Sequence, residues 1–362
     1  MSRGKIFFKK EAKKYCNLFR SDVFYNIIFN QGVCLMDIKQ DFTFDPPCVT
    51  NFEDLLQVKP PEQPAGFRKF WQDTYNLVMD APLKYRIETE LWSPVPEEKI
   101  FRVRAVNWDG VEFSMWITRP ADSKGGILSG QGYGHPLTPD DDYYTYLLKQ
   151  ASDDEAEENL TTHRLTRCLP MIRGLGLSQC KDIPWQTAYH AMHGIGSKET
   201  YILRGAVADE WMAVRILLDM FPDCADNLNY SGGSMGGGMG ALLLACDNRF
   251  KAAFLHVPAF GEFHYFMTRE DIRKKYFAEH PEVYGVLRYF NAAHAAKYIR
   301  IPVCCTPALS DPTVAPYGQF AIVNAIPEQY KTVFIRETGH SKETAKDKEA
   351  ERQLRIWIKK NF

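Results

Sequence analysis

The chain has 362 residues, 45% of them hydrophobic and 25% charged, and its 44 Lys and Arg nearly balance its 45 Asp and Glu. This is globular composition at a length that supports a large core, and it argues against a disordered, collagenous or membrane-spanning chain. A net charge of −1 gives no general footprint for nucleic acid or an anionic membrane.

Residues 1–14 are basic, and a moderately apolar stretch over residues 23–36 is interrupted by Asn26, Asn30 and Gln31. A cleaved leader wants an unbroken apolar core, so residues 1–50 read as a retained extension of unknown role and the protein as cytoplasmic. No run reaches the ~18 to 20 apolar residues of a membrane-spanning helix. The nine cysteines, Cys16, Cys34, Cys48, Cys168, Cys180, Cys224, Cys246, Cys304 and Cys305, are scattered and include no C-x-x-C pair. They read as free thiols in a reducing compartment, with neither a disulfide framework nor a zinc site.

Residues 51–362 read as one domain. Pro60, Pro61 and Pro64 mark a linker that wraps onto the body, and residues 67–80 have helical spacing, with Phe67, Phe70, Trp71, Leu77 and Val78 on one face. Residues 100–106 and 111–119 are period-2 runs joined by Asn107-Trp108-Asp109-Gly110, a hairpin signal. Acidic runs at 140–142 and 153–158 read as solvated surface. Apolar strands then alternate with helices: strands at 126–129, 168–172, 228–231, 252–257, 303–309 and 332–336, and helices at 205–221 and 344–360. A helical insertion occupies about 261–298. Such alternation predicts an α/β fold with a mostly parallel central sheet covered on both faces and the hairpin at its edge.

The most informative segment is Gly232-Gly233-Ser234-Met235-Gly236, a G-x-S-x-G set between a predicted strand and a predicted helix. A nucleophile on such a turn needs unusual backbone angles, and flanking glycines relieve the crowding. A phosphate loop is the alternative, but no Lys follows these glycines and no ribose-binding acid stands at the expected distance. Ser234 is therefore the candidate nucleophile. A serine hydroxyl needs a base, and the base needs an orienting acid. Of the five downstream histidines, His340 alone sits in a loop between a late strand and the last helix. Asp311 ends the strand before it, in the order Ser, acid, His expected of this turn type. Backbone N–H groups of Met235, next to the nucleophile, and of Tyr133, in the loop after the strand at 126–129, are the candidate oxyanion donors. His256, within an apolar strand, reads as a core histidine.

Taken in order, these segments resemble the acetyl xylan esterase and cephalosporin C deacetylase family (carbohydrate esterase family 7) of the α/β-hydrolases, over residues 66–362. The resemblance is carried by Phe67 to Trp71, Gly132-Tyr133-Gly134, Arg173-Gly174, Gly194-Ile195-Gly196, Tyr201 to Gly205, Gly232 to Gly238, Val257-Pro258, Leu287 to Phe290, and Asp311 with Pro316. It implies the α/β-hydrolase fold with the helical insertion near the active site. It also implies a Ser234, Asp311, His340 triad, an oxyanion hole from Tyr133 and Met235, and a substrate-binding role for Arg173. The implied activity is removal of acetyl and other short acyl groups from carbohydrates or small alcohols. No cofactor or metal is implied, and a homo-oligomer up to a hexamer is. Leu175, Met235 and Ser341 depart from the family's usual residues, which bears on substrate. The alternatives are another activity of the same fold (general carboxylesterase, peptidase or acyltransferase) or a catalytically silent scaffold.

Overall fold

The computed structural model describes residues 52–92, 97–133, 164–267, 271–340 and 343–362. The extension 1–50, both acidic runs, Gly134 and Ser341 lie outside the described residues. The strands are β1 (Lys84–Trp92), β2 (Glu98–Val106), β3 (Glu112–Pro120), β4 (Gly126–Gly130), β5 (Thr166–Met171), β6 (Leu228–Gly233), β7 (Ala252–His256), β8 (Val303–Thr306), β9 (Ala308–Ser310), β10 (Lys331–Val333) and β11 (Arg336–Thr338). Nine of them form one sheet in the order β1-β2-β3-β5-β4-β6-β7-β8-β10, and β11 pairs with β9 in a second, two-stranded sheet.

The antiparallel strands β1, β2 and β3 lie at one edge, and the run from β5 to β10 is parallel. The expected hairpin is present, with Val106 opposite Glu112 across the Asp-Gly turn. Strand β1, outside it, was not anticipated. In β8, Val303, Cys304, Cys305 and Thr306 are all buried, so both faces of the sheet are covered, as a parallel sheet requires. The fold is that of an α/β-hydrolase.

The helices are α1 (Phe52–Gln57), α2 (Phe67–Asp80), α3 (Thr187–Met192), α4 (Ile202–Met220), α5 (Met235–Leu244), α6 (Phe263–Met267), α7 (Ile272–Glu279), α8 (Val283–Leu287), α9 (Ala292–Ala296), α10 (Pro316–Ala325) and α11 (Ala345–Asn361). The apolar stripe of α2 turns Phe67, Phe70, Trp71 and Val78 inward. There Trp71 meets Trp211 of α4 and Phe290 of the insertion edge-on, and its indole N–H donates to the Tyr289 carbonyl at 2.7 Å. Each such side chain taken out of water contributes about 1.5–3 kcal/mol, so this cluster fastens the insertion to the body. The proline-rich segment before α2 is strapped to the same region: His294 Nε2 donates to the Pro61 carbonyl at 2.7 Å and Tyr289 O–H to that of Ala65 at 2.7 Å. Helix α11 starts on a reciprocal cap between Thr344 and Asp347.

One expectation needs correction. The runs 303–309 and 332–336 each read as a single strand, but each is broken in two. Pro307 has no N–H to give to a ladder, and β8 ends before it. The chain resumes as β9, now paired with β11. The break creates the small sheet on which the late candidate residues are mounted.

Candidate active site

Chain order reverses at β4, which has β5 on one side and β6 on the other. Ligand crevices of open α/β sheets form beyond the carboxyl ends of strands at such a point. There Gly130 of β4 faces Gly232 of β6 in register. Tyr133 and Ser234 lie just past these two ends.

Ser234 caps α5 with φ 55° and ψ −118°, a conformation that costs an L-residue on the order of 1–3 kcal/mol and persists only when its surroundings hold it. They do so with three hydrogen bonds. Ser234 N–H donates to the His256 carbonyl at 2.9 Å, and the Ser234 carbonyl accepts from Ala259 N–H at 2.9 Å and Gly238 N–H at 3.1 Å. A Cβ on Gly236 would strike the Gly130 carbonyl, so strand β4 packs this closely only because that residue is glycine. Below the turn, Tyr230 O–H donates to the Gly236 carbonyl at 2.6 Å and lies 3.3 Å from the carboxyl of Glu210. Burial holds that carboxyl far above the usual carboxylate range. Met235 is the first residue of α5, so its N–H is one of the first-turn donors without an intrahelical partner.

Asp311 follows β9 and His340 follows β11. His340 Nδ1 lies 2.8 Å from Asp311 Oδ2 and 3.0 Å from Oδ1. Asp311 is fully buried, while the His340 side chain is 26% exposed. The carboxylate accepts from Thr313 N–H at 2.8 Å, Val314 N–H at 3.0 Å and the Gln319 amide at 2.9 Å. These donors fix its orientation. Gln319 is a member of the site that sequence reading missed. It sits on α10, eight residues beyond Asp311, and nothing in its local pattern singled it out.

His256 lies between the two halves of the site. Its carbonyl holds Ser234, and its Nδ1 is 2.7 Å from Thr306 Oγ1. Burial, with the neighbouring charges of Arg336 and His340, pushes its pKa down to about 3. It is a neutral interior histidine, as its strand position suggested.

Arg173 does not fit the substrate-binding role implied for it. Its side chain is 6% exposed and fully engaged: Nε and Nη2 donate to Asp209 at 2.9 and 2.7 Å, and Nη1 pairs with Asp109. The guanidinium therefore joins helix α4 to the β2–β3 turn and has no donor turned to a substrate. Its carbonyl instead accepts from His190 Nε2 at 2.9 Å, and His190 Nδ1 lies 3.1 Å from Tyr133 Oη. His190 had gone unremarked in the sequence.

The insertion expected at 261–298 is helical, comprising α6 to α9. Between it and α10 is an open surface depression of about 380 Å³ lined by Glu262, His264, Tyr265, Phe277, Tyr284 and Tyr317. Among the described residues no group of His, Cys, Asp and Glu could hold a metal ion, and no helix is long and apolar enough to cross a membrane.

Comparison with known proteins gives a family match and close folds. The family model for acetyl xylan esterase matches residues 51–360. The acetyl xylan esterase from Paenibacillus sp. R4 superposes with a TM-score of 0.70 at 21% identity, covering 86% of this chain and 99% of that one. Acetyl xylan esterase 1 from Thermoanaerobacterium sp. JW/SL YS485 gives 0.67 at 18% identity, covering 87% and 98%.

Proposed function

Because the chain belongs to the acetyl xylan esterase family of carboxylic ester hydrolases, we propose that it hydrolyses short acyl esters, acetyl above all, of carbohydrates or similar small alcohols. Ser234 is the nucleophile, His340 the general base and then acid, and Asp311 the carboxylate that orients His340. The observation that carries the reading is the 2.8 Å pairing of His340 Nδ1 with buried Asp311. That contact leaves the opposite ring nitrogen, Nε2, for proton exchange with a serine hydroxyl.

His340 takes the hydroxyl proton as Ser234 attacks the ester carbonyl. The oxyanion that forms accepts hydrogen bonds from the backbone N–H groups of Tyr133 and Met235, which follow adjacent parallel strands. The first turn of α5 behind the serine adds favourable dipoles. His340 then passes its proton to the leaving alcohol, and water cleaves the acyl-enzyme by the same route.

The test is release of p-nitrophenol from acetyl, butyryl and octanoyl esters, with Ser234→Ala alongside, followed by acetylated xylose. Fastest turnover of the acetyl ester, lost in the variant, is the expected result. A preference for octanoyl would move the assignment to a long-chain esterase, and inert wild-type protein would remove the enzyme reading.

A further inference from the structure

We propose that His190 is a positioning residue for the oxyanion loop: by linking the Tyr133 hydroxyl to the Arg173 carbonyl it fixes where the Tyr133 backbone N–H stands. The inference rests on the oxyanion role proposed above for that N–H.

The hydrogen-bond roles around His190 are forced. A carbonyl only accepts, so Nε2, 2.9 Å from the Arg173 carbonyl, carries the proton. In the neutral ring Nδ1 is then bare, and the Tyr133 O–H must donate to it. Burial keeps the ring neutral by pushing its pKa down to about 4, and burial raises the Tyr133 phenol well above its usual range. The two rings meet edge-on with centroids 5.6 Å apart. One tautomer alone satisfies both partners.

Beyond Gly130 the chain leaves the β4 ladder, and no strand pairing fixes Tyr133. Two side-chain ties replace it. Gln131 Oε1 accepts from Ile172 N–H at 2.8 Å, and Tyr133 reaches Arg173 through His190. Arg173 is in turn held by Asp209 of α4 and Asp109 of the hairpin turn. A line of fixed groups therefore runs from the sheet edge through Arg173 and His190 to the residue whose N–H faces the developing charge. The arginine expected to touch substrate serves instead as the anchor of this line. An error of about 1 Å in such a donor costs on the order of 10² in rate.

The test is steady-state kinetics on p-nitrophenyl acetate for wild type, Tyr133→Phe, His190→Phe, the double variant and His190→Asn, with thermal unfolding of each. Tyr133→Phe removes one oxygen and leaves the backbone N–H in place. It and His190→Phe are each expected to lower kcat by about 10- to 100-fold with KM within about threefold, and the double variant to be no worse than either single. His190→Asn, whose amide oxygen can stand near the Nδ1 position and accept from Tyr133 but whose side chain is too short to reach the Arg173 carbonyl, is expected to recover part of the loss. Unchanged kcat in Tyr133→Phe overturns the inference. So does a His190→Phe penalty as large in the Tyr133→Phe background as in wild type, or melting lowered in His190→Phe with kcat per folded molecule intact. Should His190→Phe fail to fold, Tyr133→Phe and His190→Asn decide alone. Wild-type protein inert to esters, or a Ser234→Ala variant that keeps turnover, overturns the catalytic reading and this inference with it.

Discussion

Asp311 and His340 meet because the strands that lead into them are paired: Ser310 of β9 faces Thr338 of β11 in a parallel register, which places the carboxylate one residue and the imidazole two residues beyond a matched pair. Gly339 N–H donates to the Ser310 carbonyl at 2.9 Å and extends the ladder by one bond. Only a glycine fits between the two, since a Cβ at 339 would collide with the Asp311 carboxylate. Gly339→Ala is therefore expected to push the carboxylate and the imidazole apart and, with the roles proposed for them, lower kcat/KM by about 100-fold or more. The far-UV spectrum and cooperative melting should survive. Activity near wild type would show that the pairing tolerates the displacement and is not what orients His340.

The backbone of Ser234 invites a comparison of Ser234→Gly with Ser234→Ala. Both remove the hydroxyl and both should be inactive. Alanine usually stabilises relative to glycine by about 0.5–1 kcal/mol through the unfolded chain. At φ 55° and ψ −118° a Cβ is strained by on the order of 1–3 kcal/mol, so the usual ranking should reverse or vanish. Urea unfolding of the two variants measures it, and an alanine variant more stable by the ordinary margin would show that the turn stores no strain.

Arg173→Met should act on stability and leave substrate affinity alone. Removing one partner of a buried ion pair leaves Asp209 uncompensated, at a cost of about 3–5 kcal/mol. The expected result is a clearly lower Tm with KM for p-nitrophenyl acetate little changed. An unchanged Tm with a tenfold higher KM would restore the substrate-binding role.

Acid should weaken the fold through its buried histidines. His190 and His256 have folded pKa values of about 4 and about 3, below the ordinary ~6.5 of an unfolded chain. The unfolded state therefore binds more protons across this window. The stability each contributes is complete above pH ~6.5 and is lost as pH falls toward its folded value, about 3 kcal/mol for His190 by linkage. Urea unfolding at pH 7.5, 5.5 and 4.5 should show this decline, and His190→Asn should flatten part of it. Buried Glu210, whose carboxyl is held far above its usual range, contributes with the opposite sign, so the comparison with His190→Asn decides: an identical slope in the two proteins would mean that the His190 ring is not held neutral.

Much of this was legible in the sequence, for local reasons. The glycines around Ser234 are required by the turn itself, and the order of Ser234, Asp311 and His340 follows from strand alternation. The signal for β1 was also present, since Tyr85, Ile87, Thr89 and Leu91 alternate with charged residues. Its many Arg and Glu neighbours made it resemble surface. Pro307 stood in plain view within the run 303–309, but only the second sheet reveals where the chain goes after the break. The buried, ion-paired state of Arg173 was not legible because burial is not written in a residue's own neighbourhood. Its partners Asp109 and Asp209 are 64 and 36 residues away. His190 escaped notice for the same reason, since Tyr133 is 57 residues away, and Gln319 because nothing in the sequence shows that the turn after Asp311 folds its amide back onto the carboxylate.

Helix α1 packs far from its sequence neighbours, and this sets how short a working version of the protein can be. Leu55 is buried with Leu309 of β9 and Phe320 of α10, and Phe52 meets the Phe320 ring edge-on. Asn324 donates to the Leu55 and Val58 carbonyls at 2.9 and 3.0 Å. Six residues near the start of the matched region thus back the two elements that flank Asp311. A polypeptide trimmed to begin at Phe67 would keep every strand of both sheets yet lose the wedge behind Asp311. The boundary of the catalytic unit accordingly falls before Phe52, well upstream of where the sheet begins.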